Sequence, residues 1–345
     1  MTILGLRVIL KRHGGFFMKK VILIDALNLF IRNYVVNPTM DTKGVPIGGC
    51  IGFLKSLQKI TRILKPDQIV ICWDGIGGSQ KKKAKNKDYK AGRKPLRFNR
   101  RMIELDPASQ EQNRVYQQIR LYEYLNEMPV VQVSIDGIEA DDLIGYIVNQ
   151  SYYSGWKKVI VSSDKDFFQL TSDETSVYRP IQNTFVTVES LLENDKVHPN
   201  NYALARAMVG DKSDNLPGVP RVGMKTVAKL FEFLKESKQY DVEDVISLCV
   251  TKSKPSVTHK NIIENQDLIS QNYDIMQLYN PMMTYTSKQS IDYQIENFEY
   301  DFAKINVTKM LFEDGQGSIN FNELYTLFKR FSAEGKDQNL IKNNA

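Results

Sequence analysis

The stretch Val130-Val131-Gln132-Val133-Ser134-Ile135-Asp136-Gly137-Ile138-Glu139-Ala140-Asp141-Asp142 decides the architecture of this chain. Its first six residues are mostly β-branched and apolar, the pattern of a short buried strand. Asp136-Gly137 turns the chain, and acids then crowd the first turn of a helical pattern. The same grammar recurs three times. Lys20 to Ile24 meets Asp25, Gln68 to Trp73 meets Asp74, and Val159 to Val161 runs through Ser162-Ser163 into Asp164 and Asp166. Strand-length apolar runs alternating with helical patterns predict an α/β fold, a parallel sheet covered by helices. Ligands of such sheets gather at the carboxyl ends of the strands, so four runs are expected to bring acids to one edge.

Taken singly, each acid could cap a helix or shape a turn. Taken together they meet a Coulomb limit. Two carboxylates about 4 Å apart repel by about 4 kcal/mol at an effective dielectric near 20, against a typical stability of about 5–15 kcal/mol. A cation is required, and hard oxygen ligands select Mg²⁺ or Mn²⁺. The only histidines, His13, His198 and His259, stand apart from the acidic segments, and Cys50, Cys72 and Cys249 are widely spaced. A Ser-His-Asp triad, a zinc site or a disulfide framework therefore has little to build on, which leaves hydrolysis by metal-activated water. The sparse cysteines fit a reducing compartment, and a cytoplasmic location in a bacterial cell or phage-infected host is expected.

At 345 residues, with 42% hydrophobic and 25% charged side chains, the composition excludes wholesale disorder. No uncharged apolar run approaches the roughly 18 residues of a membrane span, so no membrane partner is expected. Between Lys81 and Arg101 eleven basic residues face one acid, Asp88, a local net of +10 in a chain whose total is +6. Tyr89, Phe98 and the Gly92-Arg93-Lys94-Pro95 break favour an orderable loop over a solvated helix face, and phosphate backbone is its natural partner. Residues 1–17 have an apolar start broken by Arg7 and Lys11-Arg12-His13, with no small-residue cleavage site, and are expected to be an extension with no role in the fold.

A different signal follows Asn201 to Val209. The run Gly210-Asp211-Lys212-Ser213-Asp214-Asn215-Leu216-Pro217-Gly218-Val219-Pro220-Arg221-Val222-Gly223-Met224-Lys225-Thr226 leads into an apolar helix, Val227 to Leu234. Gly218 and Gly223 bracket a turn that opens a helix and aims backbone N–H groups outward, where a phosphate can approach: a helix-hairpin-helix. An ordinary interhelical turn would carry the same glycines.

With these residues in hand, the sequence resembles the 5′ nuclease family: flap endonucleases, the 5′ nuclease domain of bacterial DNA polymerase I, and, nearest, stand-alone phage 5′-to-3′ exonucleases of the ribonuclease H type. Four segments carry the resemblance in family order: Asp74 through Asp88-Tyr89-Lys90-Ala91-Gly92-Arg93, Gly137-Ile138-Glu139-Ala140-Asp141-Asp142, Ser163-Asp164-Lys165-Asp166, and Gly210 through Lys225. The resemblance implies two Mg²⁺ or Mn²⁺ ions. Asp74, Glu139, Asp141 and Asp142 would hold one, Asp164, Asp166, Asp211 and Asp214 the other, with Asp25 behind the first. Lys90 would reach the scissile phosphate from a helical arch, with Arg93 and Lys81 beside it. Arg32, Lys82, Lys83 and Tyr89, together with Gly218, Val219, Gly223, Lys225 and Thr226 of the hairpin, would contact DNA, and the hairpin carbonyls would bind K⁺. Two departures stand out. Ala26 follows Asp25 where the family often has glycine, and Lys81 stands where an arginine is expected, in an arch one residue longer, so that Lys81, Lys82 and Lys83 compete for one role.

The expected layout is an extension over 1–17, a PIN-like catalytic core over 18–190 with the arch at about 76–125, a helical DNA-binding region over 191–334 with the hairpin motif at about 204–234, and a polar tail over 335–345. Helices are expected near Val242 to Leu248, over Asn261 to Tyr279, and late, where Leu324, Tyr325, Leu327, Phe328 and Phe331 form a core stripe. Asp314-Gly315-Gln316-Gly317-Ser318 begins like a calcium loop, but Ile319 stands where its glycine belongs and no glutamate closes it. The functional expectation is a monomeric, stand-alone structure-specific nuclease in replication or repair, acting on 5′-flap, forked or nicked DNA or on an RNA/DNA hybrid, with replication-fork proteins as partners. A non-catalytic DNA-binding module and a PIN-type ribonuclease are the alternatives.

Overall fold

A computed structural model describes residues 18–92, 106–316 and 319–331. The proposed extension over 1–17, the tail, Arg93 and Phe98 lie outside them. The centre is a six-stranded sheet in the order β3-β2-β1-β4-β5-β6, formed by β1 (Lys20–Asp25), β2 (Gln68–Trp73), β3 (Val131–Ser134), β4 (Lys157–Val161), β5 (Thr175–Arg179) and β6 (Thr184–Val186). The first five strands run parallel, and β6 pairs antiparallel with β5. All four expected strands are present. The two strands not foreseen, β5 and β6, are short, and half or more of their residues are polar or solvent-facing, so no apolar run announced them.

From β1 the chain builds outward through β2 to β3, then returns to lay β4 on the other side of β1, which puts the switch in strand order, and the crevice that accompanies it, between β1 and β4. The register aligns Asp25 with Cys72 and Ile24 with Val161. Asp25, Asp74 and the Ser162–Asp164 turn therefore leave the sheet along one edge. Alternation of side chains sends Val21 and Leu23 into one core and Ile22 and Ile24 into the other, so β1 reads as an unbroken apolar run because both of its faces are buried.

Helices α1 (Ala26–Val36), α2 (Gly48–Leu64) and α4 (Pro107–Asn126) cover one face. Helix α3 (Gln80–Lys85) leads into the basic segment. The other face takes α5 (Ala140–Ile147), α6 (Val188–Asn194), α7 (Tyr202–Val209), α8 (Met224–Leu230), α9 (Val242–Thr251), α10 (Val257–Glu264), α11 (Gln266–Met276) and α12 (Tyr285–Glu296). The single helix expected over Asn261 to Tyr279 is broken at Asn265, whose side chain folds back onto the carbonyl of Asn261 at 2.7 Å. Helices α13 (Lys304–Glu313) and α14 (Phe321–Lys329) return to the first face, burying Leu311, Leu324 and Phe328, so the late apolar stripe is core. Asp314 is an anchor for this segment: its carboxylate accepts from Arg120 at 2.9 and 3.1 Å and from the Tyr124 hydroxyl at 2.7 Å, tying the C-terminal helices to α4. Among the described residues no helix is long and apolar enough to cross a membrane.

Two glycines close the turn after α7. Gly210 adopts φ +77°, and a Cβ there would meet the Gly218 nitrogen at 2.4 Å; a Cβ on Gly218 would fall 1.9 Å from the Val209 carbonyl oxygen. Backbone lies directly on backbone, with Val219 N–H donating to the Met208 carbonyl at 2.9 Å. Gly218→Ala should therefore cost about 1–3 kcal/mol of stability. Gly223→Ala, where a Cβ meets nothing, should cost about 1 kcal/mol or less. Urea unfolding of both variants checks the difference, and equal midpoints would contradict the close approach.

Candidate functional site

The acids at the carboxyl edge fall into two groups. Gly137, at φ +75°, turns the chain after β3, and Glu139 then occupies the N-cap of α5 with Asp141 and Asp142 in its first turn. Asp74, just past β2, accepts from the Ala140 N–H at 2.7 Å, which satisfies an amide at the start of α5 and fastens the two strand ends together. Glu139, Asp141 and Asp142 each offer an oxygen within 4.8 Å of the others. The donor set is all oxygen, which suits a hard divalent cation.

Positive charge enters this group from the basic segment. Lys82, only 4% exposed, places its ammonium 3.0 Å from Glu139, 3.1 Å from Asp141 and 3.3 Å from Asp142. The Lys90 ammonium donates to Glu139 at 2.5 Å, and the Tyr89 hydroxyl donates to the same carboxylate at 3.1 Å. Burial would lower the Lys82 pKa, but Asp141, Asp142 and Glu139 outweigh it and hold the ammonium well above its usual range. Burial pushes Asp142 up to about 7, with Asp141 adding to it. At Asp141 burial acts upward too, yet Lys82 and Lys90 prevail and keep it below the carboxylate range.

The second group lies across the switch point. Between the two groups Asp25 caps α1, accepting from Asn28 N–H at 3.1 Å and from the Ser162 hydroxyl at 3.1 Å; burial, with Asp74 of the first group and Asp164 of the second adding, raises it to about 7. The Asp164 carboxylate accepts from the Asp166 N–H at 2.9 Å. The charges of Asp141, Asp214 and Asp211 all act on Asp164, which places the two groups within electrostatic reach of each other. Arg206, on α7, pairs with Asp166 at 3.2 Å and closely with Asp211. Burial and Asp164 raise Asp166 to about 7, whereas Ser213 and Arg206 overcome burial at Asp211 and lower it. Arg206 was not foreseen. Its one sequence signal is a basic residue in the last turn of the helix that delivers Asp211.

The structure separates the three competing lysines. Lys81 donates to the Met282 carbonyl at 2.7 Å, Lys83 is exposed, and Lys82 enters the acidic group. Tyr89, expected at the DNA, is 2% exposed and packs with Leu216, Ile275 and Met276, so its ring is turned away from solvent. That contact joins the basic segment to the 210–226 loop, as do Lys90 N–H to the Asp214 carbonyl at 2.8 Å and the Asn215 amide to the Asp88 carbonyl at 3.0 Å. Arg32 is half-buried on α1, and its Nη1 has no hydrogen-bond partner among the described residues. In the 210–226 loop and the start of α8, Val219 is buried, Gly223 caps α8, Thr226 donates its N–H to the Gly223 carbonyl at 2.8 Å, and Lys225 is exposed. Arg93 lies outside the described residues.

Comparison with known proteins bears on the family and the fold. The family model of the 5′-3′ exonuclease N-terminal resolvase-like domain matches residues 20–198. A 5′-3′ exonuclease of Buchnera aphidicola from Schizaphis graminum is 31% identical over 244 residues, 68% of this chain and 78% of that protein. DNA polymerase I of Bacillus subtilis is 27% identical over 329 residues, 93% of this chain and 34% of the longer protein. Among solved structures, the T5 D15 protein co-crystallised with metal ions superposes with a TM-score of 0.61 at 17% identity, covering 86% of this chain and 99% of that one. T5 5′-exonuclease with bound zinc gives 0.62 at 16% identity, covering 86% and 100%. At these identities the likeness to the T5 structures is one of fold.

The raised acids give a prediction with a defined sign. Asp25, Asp142 and Asp166 sit near 7 in the folded chain, against about 3.9 when unfolded. Between those values the folded state binds more protons, so their contribution to stability is full below about 4 and is lost as pH rises through about 7. In chelator, the melting temperature should be lower at pH 8 than at pH 6, and divalent ions should raise it more at pH 8. A higher melting temperature at pH 8 in chelator would contradict the assignment.

Proposed function

Because the chain belongs to the 5′-3′ exonuclease family, we propose that it is a structure-specific 5′ nuclease that hydrolyses DNA phosphodiesters with the help of divalent metal ions. The observation that carries this reading is the cluster of Glu139, Asp141 and Asp142, whose oxygens lie within 4.8 Å of one another beneath lysines of the basic segment. In this reading Asp74, Glu139, Asp141 and Asp142 hold one ion, Asp164, Asp166, Asp211 and Asp214 a second, and Asp25 braces the first group from β1. Mg²⁺ or Mn²⁺ held there would lower the pKa of a bound water and neutralise charge on the departing 3′ oxygen.

The protein's own part is to place and hold the substrate. Lys90 already stands at the cluster, joined to Glu139, and on arrival of DNA its ammonium would turn to the scissile phosphate, with Arg93 and Lys81 close by. Exposed Lys83 and Arg32 of α1 would contact the strand that passes the arch. The 210–226 loop, with Gly218, Val219, Gly223, Lys225 and Thr226, would act as the helix-hairpin-helix that grips duplex backbone, its carbonyls taking K⁺. A 5′-flap, forked or nicked duplex fits a site with duplex contacts on one side and a basic single-strand path on the other. Cleavage there leaves a 5′-phosphate.

A labelled 5′-flap duplex tests the reading directly. Product should form with Mg²⁺ or Mn²⁺, stop in chelator, and return when the ion is restored. Asp164→Asn should abolish turnover while flap binding persists, and Lys90→Ala should lower kcat by about 10²–10³. Lys83→Ala should reduce the slope of log affinity against log salt by about 1. Binding without cleavage under every metal condition would instead identify a non-catalytic DNA-binding module, and preference for single-stranded RNA a PIN-type ribonuclease.

A further inference from the structure

We propose that Lys82 is a resident counter-ion of the Glu139, Asp141 and Asp142 cluster which a divalent ion has to displace, so that ion binding and release of α3 from the cluster are one equilibrium. The proposal rests on the reading of those three acids as ion ligands. The ammonium lies 3.0, 3.1 and 3.3 Å from oxygens of Glu139, Asp141 and Asp142, and its hydrogen bonds go to both oxygens of Asp141. The side chain is 4% exposed, so these charges face one another largely screened from water. A divalent ion of Mg²⁺ size needs the same oxygens at about 2.0–2.1 Å. Two cations on one set of oxygens repel, and one must leave.

Lys82 is built to be the one that leaves. Lysine is a point charge on a flexible four-carbon stem, and α3 is a helix of six residues. Its other ties are few and on the surface: Lys81 to the Met282 carbonyl at 2.7 Å, Lys85 to Asp274 at 2.7 Å, and Gln271 to the Lys85 carbonyl at 2.5 Å. Exposed contacts of this kind hold weakly, so withdrawing Lys82 removes the main anchor of the helix. Linkage then runs both ways. An ion at the cluster loosens α3, and DNA, whose phosphates offer Lys82 another anionic partner, tightens ion binding.

Mn²⁺ titration of the full-length protein without DNA, followed by the resonance of free Mn²⁺ or by calorimetry, tests this without any turnover. Lys82→Gln should bind Mn²⁺ about tenfold more tightly than the wild type, whereas Lys85→Gln should change affinity less than about twofold. Equal or weaker binding by Lys82→Gln would overturn the proposal and leave the ion site standing. No Mn²⁺ uptake by the wild type would overturn the reading of the site and the proposal with it. Hydrogen exchange on the unsubstituted protein gives a second test that does not depend on any variant folding. The amides of Lys83 and Asn86, which donate to the Ser79 and Lys82 carbonyls, should exchange faster with Mn²⁺ than in chelator. Unchanged or slower exchange at those amides would overturn the proposal.

Discussion

Like charges brought to the carboxyl edge of a parallel sheet set the terms for the rest of this molecule. Four strand ends deliver carboxylates to a region where burial, with neighbouring carboxylates adding to it, raises Asp25, Asp142 and Asp166 to about 7. The chain answers with two kinds of compensation. Amides at helix starts, such as Ala140 N–H on Asp74 and Asn28 N–H on Asp25, orient and partly neutralise single oxygens. Full positive charges supply the rest, Lys82 and Lys90 on one side and Arg206 on the other. Burying a lysine is unfavourable unless its partners are nearly ideal, and three carboxylates within 3.3 Å meet that condition.

The topology turns this local constraint into a site. Because β4 returns to the far side of β1, the acidic ends flank a crevice that no single strand end could build alone. The helices after β6 then approach that crevice through the tight turn at Gly210 and Gly218, which presents Asp211 and Asp214 to it. Tyr89, buried against Leu216, Ile275 and Met276, pins the basic segment to the same turn. On the opposite face Asp314 holds Arg120 and Tyr124, so the distal base of α4 is fixed by the C-terminal helices. The described part of the basic segment is thus tethered by the acids it serves, while α4 is fixed by an unrelated ion pair.

What the sequence revealed follows from the range of the forces involved. Strands β1 to β4 and their terminal acids were legible because apolar run, turn and acid lie within a dozen residues of one another. Choosing Lys82 over Lys81 or Lys83 was not, since that choice depends on the turn from Gly75 to Ser79, where a Cβ on Gly75 would strike the Ile135 carbonyl oxygen at 1.9 Å. The chain entering α3 is therefore constrained by the turn after β3, at a residue sixty positions beyond Gly75. Tyr89 was expected at the DNA because its neighbours in sequence are charged, while its neighbours in space, Leu216 and Met276, are apolar. Arg206 escaped notice for the converse reason. A lone basic residue in a helix is ordinary, and only the fold sets it between Asp166 and Asp211.

Among the compensating cations, Arg206 and Lys82 differ in kind, and the difference has a consequence. Arg206 stands on α7, whose Leu204, Ala205, Ala207 and Met208 are all buried, and its guanidinium spans carboxylates from two separate loops. A planar fork engaged at both prongs cannot leave one acid without giving up the other, so it behaves as part of the scaffold. Lys82 stands on a six-residue helix, and its single ammonium can be exchanged for another cation without disturbing the core. The second acidic group is therefore permanently held in shape by its counter-charge, whereas the first is held only as long as the basic segment stays down. A site assembled in this way couples its own charge balance to the position of the basic segment, through Lys82 and Lys90.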